Sequence, residues 1–115
     1  MKTYISKAKD EHRRFEERRC TGDCLEAVGV PPKCTVLIDR MIDFKVGDLV
    51  WCNKHAGAIN SYIKQVFETG EQVLVGTRYA DPTRDFSFVA EEILGVVVCC
   101  MDKDRKIVWE REATA

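Results

Sequence analysis

Hydrophobic and polar residues follow two different patterns along the 115-residue chain. Over residues 7–19, Gly and Pro are absent, good helix formers are frequent, and Ala8, His12 and Phe15 recur near helical spacing. This pattern predicts an α-helix with one thin apolar stripe and a charged, solvated face. We therefore divide the chain into an N-terminal helix over residues 1–19 and a main domain over residues 20–115.

From residue 35 onwards, short runs of β-branched, aromatic and other apolar residues replace the helical pattern. The runs lie at 35–39, 49–53, 61–67, 72–77, 94–101 and 106–110. The breaks between them carry turn residues, as at Gly47 and Gly70, and short breaks are typical of antiparallel hairpins. The sequence therefore predicts a mostly β fold of antiparallel strands, preceded by the N-terminal helix.

Composition and charge exclude several classes of protein. Apolar residues make up 45% of the chain and charged residues 32%, which is typical of one globular domain. Eighteen Lys and Arg against nineteen Asp and Glu give a net charge of −1, so we predict no nucleic-acid partner. The chain shows no export signal and no apolar run of membrane-spanning length, so we expect a cytoplasmic protein without a membrane partner.

Six cysteines occupy positions 20, 24, 34, 52, 99 and 100. Because no export signal is present, reduced thiols are expected rather than a disulfide framework. The spacing lacks paired Cys-x-x-Cys knuckles, so we predict no metal and no cofactor. The last four cysteines lie in or beside apolar runs, where a thiol usually packs as a small hydrophobe. A redox or metal-responsive role for Cys20 and Cys24 is the alternative.

Lys64 and Cys24 are the candidate catalytic residues. On the predicted strand over 61–67, Lys64 shares its face with Tyr62 and Val66. A lysine amine desolvated by apolar neighbours can act as a general base, although the side chain can instead cover the sheet and keep its head in water. Cys24 follows Gly22 in an irregular segment that can present a nucleophile. The two residues form a candidate Cys-Lys dyad.

Four blocks of the sequence resemble the peptidase domain of LexA, UmuD and phage repressors. Residues 22–25 read Gly-Asp-Cys-Leu where family members have Gly-Asp-Ser-Met. Residues 47–50 resemble the family's Gly-Asp-hydrophobic-Val block, 62–66 its strand with the catalytic lysine, and 93–98 its closing Gly-Val-Val strand. The order and approximate spacing of these blocks agree over residues 20–101.

The resemblance implies a mostly β domain that uses a serine–lysine dyad to cleave a bond in its own chain and dimerises through late strands. Cys24 occupies the serine position and Lys64 the lysine position. A thiolate and an ammonium in contact would stabilise each other and leave the lysine protonated, unlike the neutral base that the serine mechanism requires. With 23 residues before Cys24, we expect no upstream cleavage segment and no DNA-binding domain.

Two functions follow from this comparison. The first is a catalytically degenerate relative that acts as a dimerisation or protein-binding module in a bacterial or phage regulatory system. Its dimer interface would be the apolar late strand over residues 95–100, which would be prone to aggregation as a bare edge. The second is an active Cys24–Lys64 peptidase that acts in trans on another protein. We favour the first, because a scaffold requires only the core while a dyad also requires geometry and protonation.

Overall fold

The computed structural model describes residues 4–5, 14–20, 22 and 25–112 of the chain. Within these residues the chain forms nine strands and two short 3₁₀-helices, at Glu26–Val28 and Pro82–Arg84. The strands are β1 (Tyr4–Ile5), β2 (Phe15–Cys20), β3 (Cys34–Asp39), β4 (Leu49–Asn53), β5 (Tyr62–Glu68), β6 (Val73–Thr77), β7 (Phe86–Ala90), β8 (Glu92–Met101) and β9 (Ile107–Glu110). Neither helix in this part of the chain has the length needed to cross a membrane.

The long strand β8 organises the sheet. The strand order is β2-β3-β8-β4-β5-β6-β7, and β1 and β9 also pair with β8. The first half of β8 pairs with β4 and β1, and its second half pairs with β3 and β9. Every pairing is antiparallel except that of β1 with β8. The prediction of a mostly β, antiparallel fold is therefore confirmed.

The predicted N-terminal helix is wrong where the structure describes it. Residues 15–19 belong to β2, which runs antiparallel to β3 from the pair Phe15–Asp39 to the pair Cys20–Cys34. Helix propensity and four-residue ion pairs are weak preferences, and the backbone ladder along β3 overrides them here. The Arg14 side chain also bonds Asp39 through Nε at 3.0 Å and Nη2 at 2.9 Å, which ties the start of β2 to β3. Residues 4–5 of the predicted helical segment 1–19 form β1, and residues 1–3 and 6–13 lie outside the described residues.

Two clusters of buried side chains form the core. The first cluster consists of Cys20, Leu25, Val30, Cys34, Val36, Ile38, Leu49, Val97 and Cys100. The second cluster consists of Val50, Cys52, Val66, Val73, Val75, Ala90, Ile93 and Val96. Neighbouring residues of one strand enter different clusters, as Leu49 and Val50 do, because strand side chains alternate between faces. The four cysteines expected to be buried, at positions 34, 52, 99 and 100, are buried.

Residues 95–100 do not form an edge that a second copy could cover. They lie within β8, which is hydrogen-bonded to strands on both sides, and Val96 and Val97 are fully buried. The same apolar character that suggested an interface instead places the strand in the centre of the sheet. The late strand with exposed apolar residues is β9, where Ile107 and Val108 are 56% and 41% exposed.

Candidate functional site

Lys64 occupies one cross-strand row of the sheet. Val50 of β4 is its partner on one side. On the other side the pairing of Gln65 with Gly76 places Lys64 beside Thr77, which is paired in turn with Phe86 of β7. Side chains that lie opposite each other in antiparallel strands are close enough to interact directly. The lysine is therefore flanked by an apolar side chain, a hydroxyl and an aromatic ring.

The Lys64 amine is buried, with 7% of the residue exposed. Its Nζ donates a hydrogen bond to Oγ1 of Thr77 at 3.2 Å and lies 4.6 Å from the centroid of the Phe86 ring. A cation over a ring face is attracted by the ring's quadrupole, most strongly where water is excluded. Of the two arrangements considered for Lys64, the structure thus shows the desolvated one.

A cavity of about 260 Å³ opens beside this amine. It is lined by Lys54, Tyr62, Lys64, Phe86, Ser87 and Phe88. The rings of Tyr62 and Phe88 meet edge to face with their centroids 5.8 Å apart. The cavity therefore combines two amines with aromatic walls, and we call it the Lys64 pocket.

No carboxylate in the described part of the chain forms an ion pair with Lys64. A lysine is rarely buried to this extent without an oppositely charged partner, because an unpaired buried charge is costly. Its positive charge acts on Cys52 of β4: burial raises the pKa of the Cys52 thiol to about 12, and Lys64 opposes part of that rise. Cys52 is fully buried and stays protonated at neutral pH, so it is not a nucleophile.

Cys24 lies outside the described residues, so the dyad with Lys64 stays a prediction. The chain that follows it is described: Leu25 is buried in the first cluster, and Val30 N–H donates to the Leu25 carbonyl at 3.1 Å. Gly29 ends the intervening 3₁₀-helix with a φ of +93°, a conformation that glycine adopts without strain. Lys64, in contrast, lies on the same face of β5 as Val66, which belongs to the second cluster.

Sequence reasoning identified Lys64 but missed Thr77 and Phe86. The signal for Thr77 was the predicted hairpin between the runs 61–67 and 72–77, since pairing these runs brings Thr77 near Lys64. The pairing register of β5 with β6 could not be predicted, because a bulge between Val66 and Glu68 shifts it. Phe86 depends on a second pairing, across β6 and β7, that no local pattern indicates.

No group of three or more His, Cys, Asp or Glu side chains is arranged to hold a metal ion within residues 14–20, 22 and 25–112. The thiols of Cys20, Cys34 and Cys100 share the first cluster without forming such a site. Comparison of the chain with protein-family models, with curated proteins and with solved structures finds no match.

Proposed function

We propose that the chain is a LexA/UmuD-like peptidase-related domain that lacks cleavage activity and serves as a dimerisation or protein-binding module in a bacterial or phage regulatory system. The observation that carries this proposal is the buried Lys64 amine, which donates to Thr77, opens into an aromatic pocket and has no carboxylate partner in the part of the chain that the structure describes. The antiparallel fold and the position of Lys64 on a paired strand support the resemblance in sequence.

The Lys64 pocket suits a segment of another protein. An ammonium group has three N–H donors, and Thr77 accepts the one hydrogen bond that Lys64 donates among the described residues. The remaining donors can bind a carboxylate or carbonyl oxygen, while Tyr62 and Phe88 can contact an apolar side chain. Strand β7 lies at the end of the sheet path, so an extended segment can pair with its outer edge beside the pocket.

Strand β9 is the surface on which a second copy would dock. It pairs with β8 alone in the described part of the chain and exposes Ile107 and Val108. An exposed strand edge with apolar residues favours pairing with another chain. This assigns the predicted dimerisation through late strands to β9 rather than to residues 95–100.

One observation favours the second function, an active Cys24–Lys64 peptidase acting in trans on another protein. The Lys64 amine is buried, donates a hydrogen bond to Thr77 and lines a pocket that a peptide segment could enter. A base must lie within reach of its substrate in this way. The thiol placed within its electrostatic reach is Cys52, which is protonated, so only Cys24 can be the nucleophile of this function.

Alkylation of Cys24 separates the two functions. If the site is degenerate, iodoacetamide will label Cys24 in the native protein no faster than an ordinary free thiol at neutral pH. The Lys64→Met variant will then change that rate by less than about twofold, because no dyad exists. The rate is read by mass spectrometry of the labelled peptides, with Lys54→Met on the pocket rim as the matched control. An active dyad predicts labelling at least about tenfold faster than a free thiol, lost in Lys64→Met alone.

Sedimentation tests the dimerisation half of the proposal. We expect the wild-type protein to sediment as a dimer at micromolar concentration, and Ile107→Lys to weaken that dimer by at least about tenfold, because a buried lysine at the interface would lack a partner. Val46→Lys is the matched control, since Val46 is equally exposed, at 55%, and lies outside β9. A strictly monomeric wild type would contradict the role of β9.

A further inference from the structure

Cys20 and Cys34 face each other where the edge strand β2 pairs with β3. They are direct partners in the antiparallel register, and both side chains are buried in the first cluster. The Cys34 thiol is hydrogen-bonded to the thiols of both Cys100 and Cys20. Three thiols thus meet at the point where β2 ends.

The register allows a bond between Cys20 and Cys34 but not between Cys34 and Cys100. Directly opposed residues in antiparallel strands have Cα atoms roughly 4.5–5.5 Å apart, within the roughly 4.4–6.8 Å that a disulfide spans. Cys100 is instead the partner of Val36, so it lies diagonally from Cys34. Diagonal neighbours are roughly 7–8 Å apart, which is too far for a disulfide without backbone movement.

We propose that Cys20 and Cys34 form a reversible cross-strand disulfide that fastens β2 to the sheet. This modification site is independent of the proposed function, because neither residue belongs to the Lys64 pocket.

Strand β2 is weakly held without such a bond. Cys20 is its one buried residue, and no strand of the described chain pairs with its outer edge. Its side-chain contacts with other strands include the Arg14–Asp39 pair, in which Arg14 is 44% exposed, the Arg18 guanidinium 4.9 Å from the Trp51 ring centroid, and the exposed Arg105–Glu17 pair. An edge strand with one buried residue is expected to open locally more often than the central strands.

The oxidant is a low-molecular-weight disulfide such as glutathione disulfide. The Cys20 thiol, which is 8% exposed, loses its proton to water, and its thiolate attacks one sulfur of the oxidant. The oxidant's S–S bond breaks, and the departing thiolate takes up a proton. The Cys34 thiolate then attacks the Cys20 sulfur of the mixed disulfide and releases the second glutathione. The two protein thiols are oxidised, and one glutathione disulfide is reduced to two thiols.

The second step depends on the Cys34 thiolate. Burial raises the pKa of the Cys34 thiol, and the hydrogen bond with Cys100 opposes part of that rise. Because the thiolate is the nucleophile, the second step is expected to accelerate as the pH rises. The completed bond encloses residues 21–33, and with them the candidate nucleophile Cys24.

Disulfide mapping of the full chain tests the proposal. The protein is equilibrated in buffers with increasing ratios of oxidised to reduced glutathione, quenched with acid, alkylated and digested for mass spectrometry. We expect a Cys20–Cys34 peptide to be the main intramolecular product, to persist in Cys52→Ala, and to be absent from Cys34→Ala. A main product that joins Cys20 to Cys24 or Cys34 to Cys100 would overturn the proposal, as would a folded protein without any intramolecular disulfide. The wild-type map decides this even if Cys34→Ala does not fold.

Hydrogen exchange tests the fastening of β2. In the oxidised protein, the amides of residues 15–20 are expected to exchange at least about tenfold more slowly than in the reduced protein. The melting temperature is expected to rise by about 10 °C, because the disulfide closes the loop over residues 21–33 and so restricts the unfolded chain. Amides of β6, which is far from β2 in the strand order, are the internal control. Equal exchange of β2 in both states would show that the bond fastens nothing.

Discussion

Replacing Gly76 by alanine is expected to destabilise the protein by about 3 kcal/mol or more. Gly76 lies in β6 between β5 and β7, paired with Gln65 and Ser87. A Cβ atom there would overlap the carbonyl oxygen of Phe86 and stand 2.8 Å from both a Phe67 ring carbon and the Ser87 Cα. Two of these three atoms belong to the backbone of β7, so the clash is relieved only by moving that strand.

The same substitution is expected to alter the Lys64 pocket. Thr77, which accepts the hydrogen bond from Lys64, follows Gly76 directly, and Phe86 and Ser87 line the pocket. A displaced β7 would draw the Phe86 ring away from the Lys64 amine and admit water to it. Labelling of Lys64 by an amine-selective acylating reagent is therefore expected to accelerate in Gly76→Ala along with the loss of stability.

Urea unfolding followed by circular dichroism measures the change in the free energy of unfolding. Gly22→Ala is the matched control, since a Cβ at Gly22 meets no atom of the described residues within 4 Å. Its stability is expected to stay within about 0.5 kcal/mol of the wild type. Equal stability of the two alanine variants would mean that β6 and β7 are not packed as described.

The strands from residue 34 onwards could be predicted from the sequence because their signals are local. Each of the six predicted runs overlaps an observed strand, and the run over 49–53 has the same bounds as β4. In these runs β-branched and apolar residues alternate or cluster between turn residues, and the structure follows that pattern. The alternation also placed Lys64 on one face with Val66, as observed.

The parts that could not be predicted depend on contacts distant in the chain. Strand β2 has a helical composition and is extended because β3 offers a backbone ladder. Strand β8 resembles an exposed interface strand in composition and is buried because β3, β4 and β9 pair with it. The Lys64–Thr77 bond joins residues 13 positions apart through a bulged hairpin. Register and strand order, rather than composition, determine these features.

Replacing Arg111 is expected to cause the second large loss of stability, because Arg111 forms an ion pair with Asp48, 63 positions earlier in the chain. Its Nε and Nη2 donate to the two carboxylate oxygens of Asp48 at 2.8 and 3.1 Å, and the Lys45 backbone N–H donates to the same carboxylate at 2.8 Å. The side chains are 4% exposed for Asp48 and 17% for Arg111. The hydrogen bonds that Arg111 donates to Asp48 also raise the pKa of Arg111, so the guanidinium stays charged at neutral pH.

Arg111→Met is expected to lower the free energy of unfolding by about 3 kcal/mol, because it leaves the Asp48 carboxylate buried without its counter-charge. Asp48→Asn with Arg111→Met removes both charges, and the double variant is expected to recover about 1–3 kcal/mol relative to the sum of the single changes. Arg105→Met is the matched control: its pair with Glu17 is exposed on both sides, so a loss below about 1 kcal/mol is expected. Thermal or urea unfolding of Arg111→Met, Asp48→Asn, the double variant and Arg105→Met measures these differences. If Arg111→Met proved no more damaging than Arg105→Met, the pair would not fix the end of β9 against the turn that precedes β4.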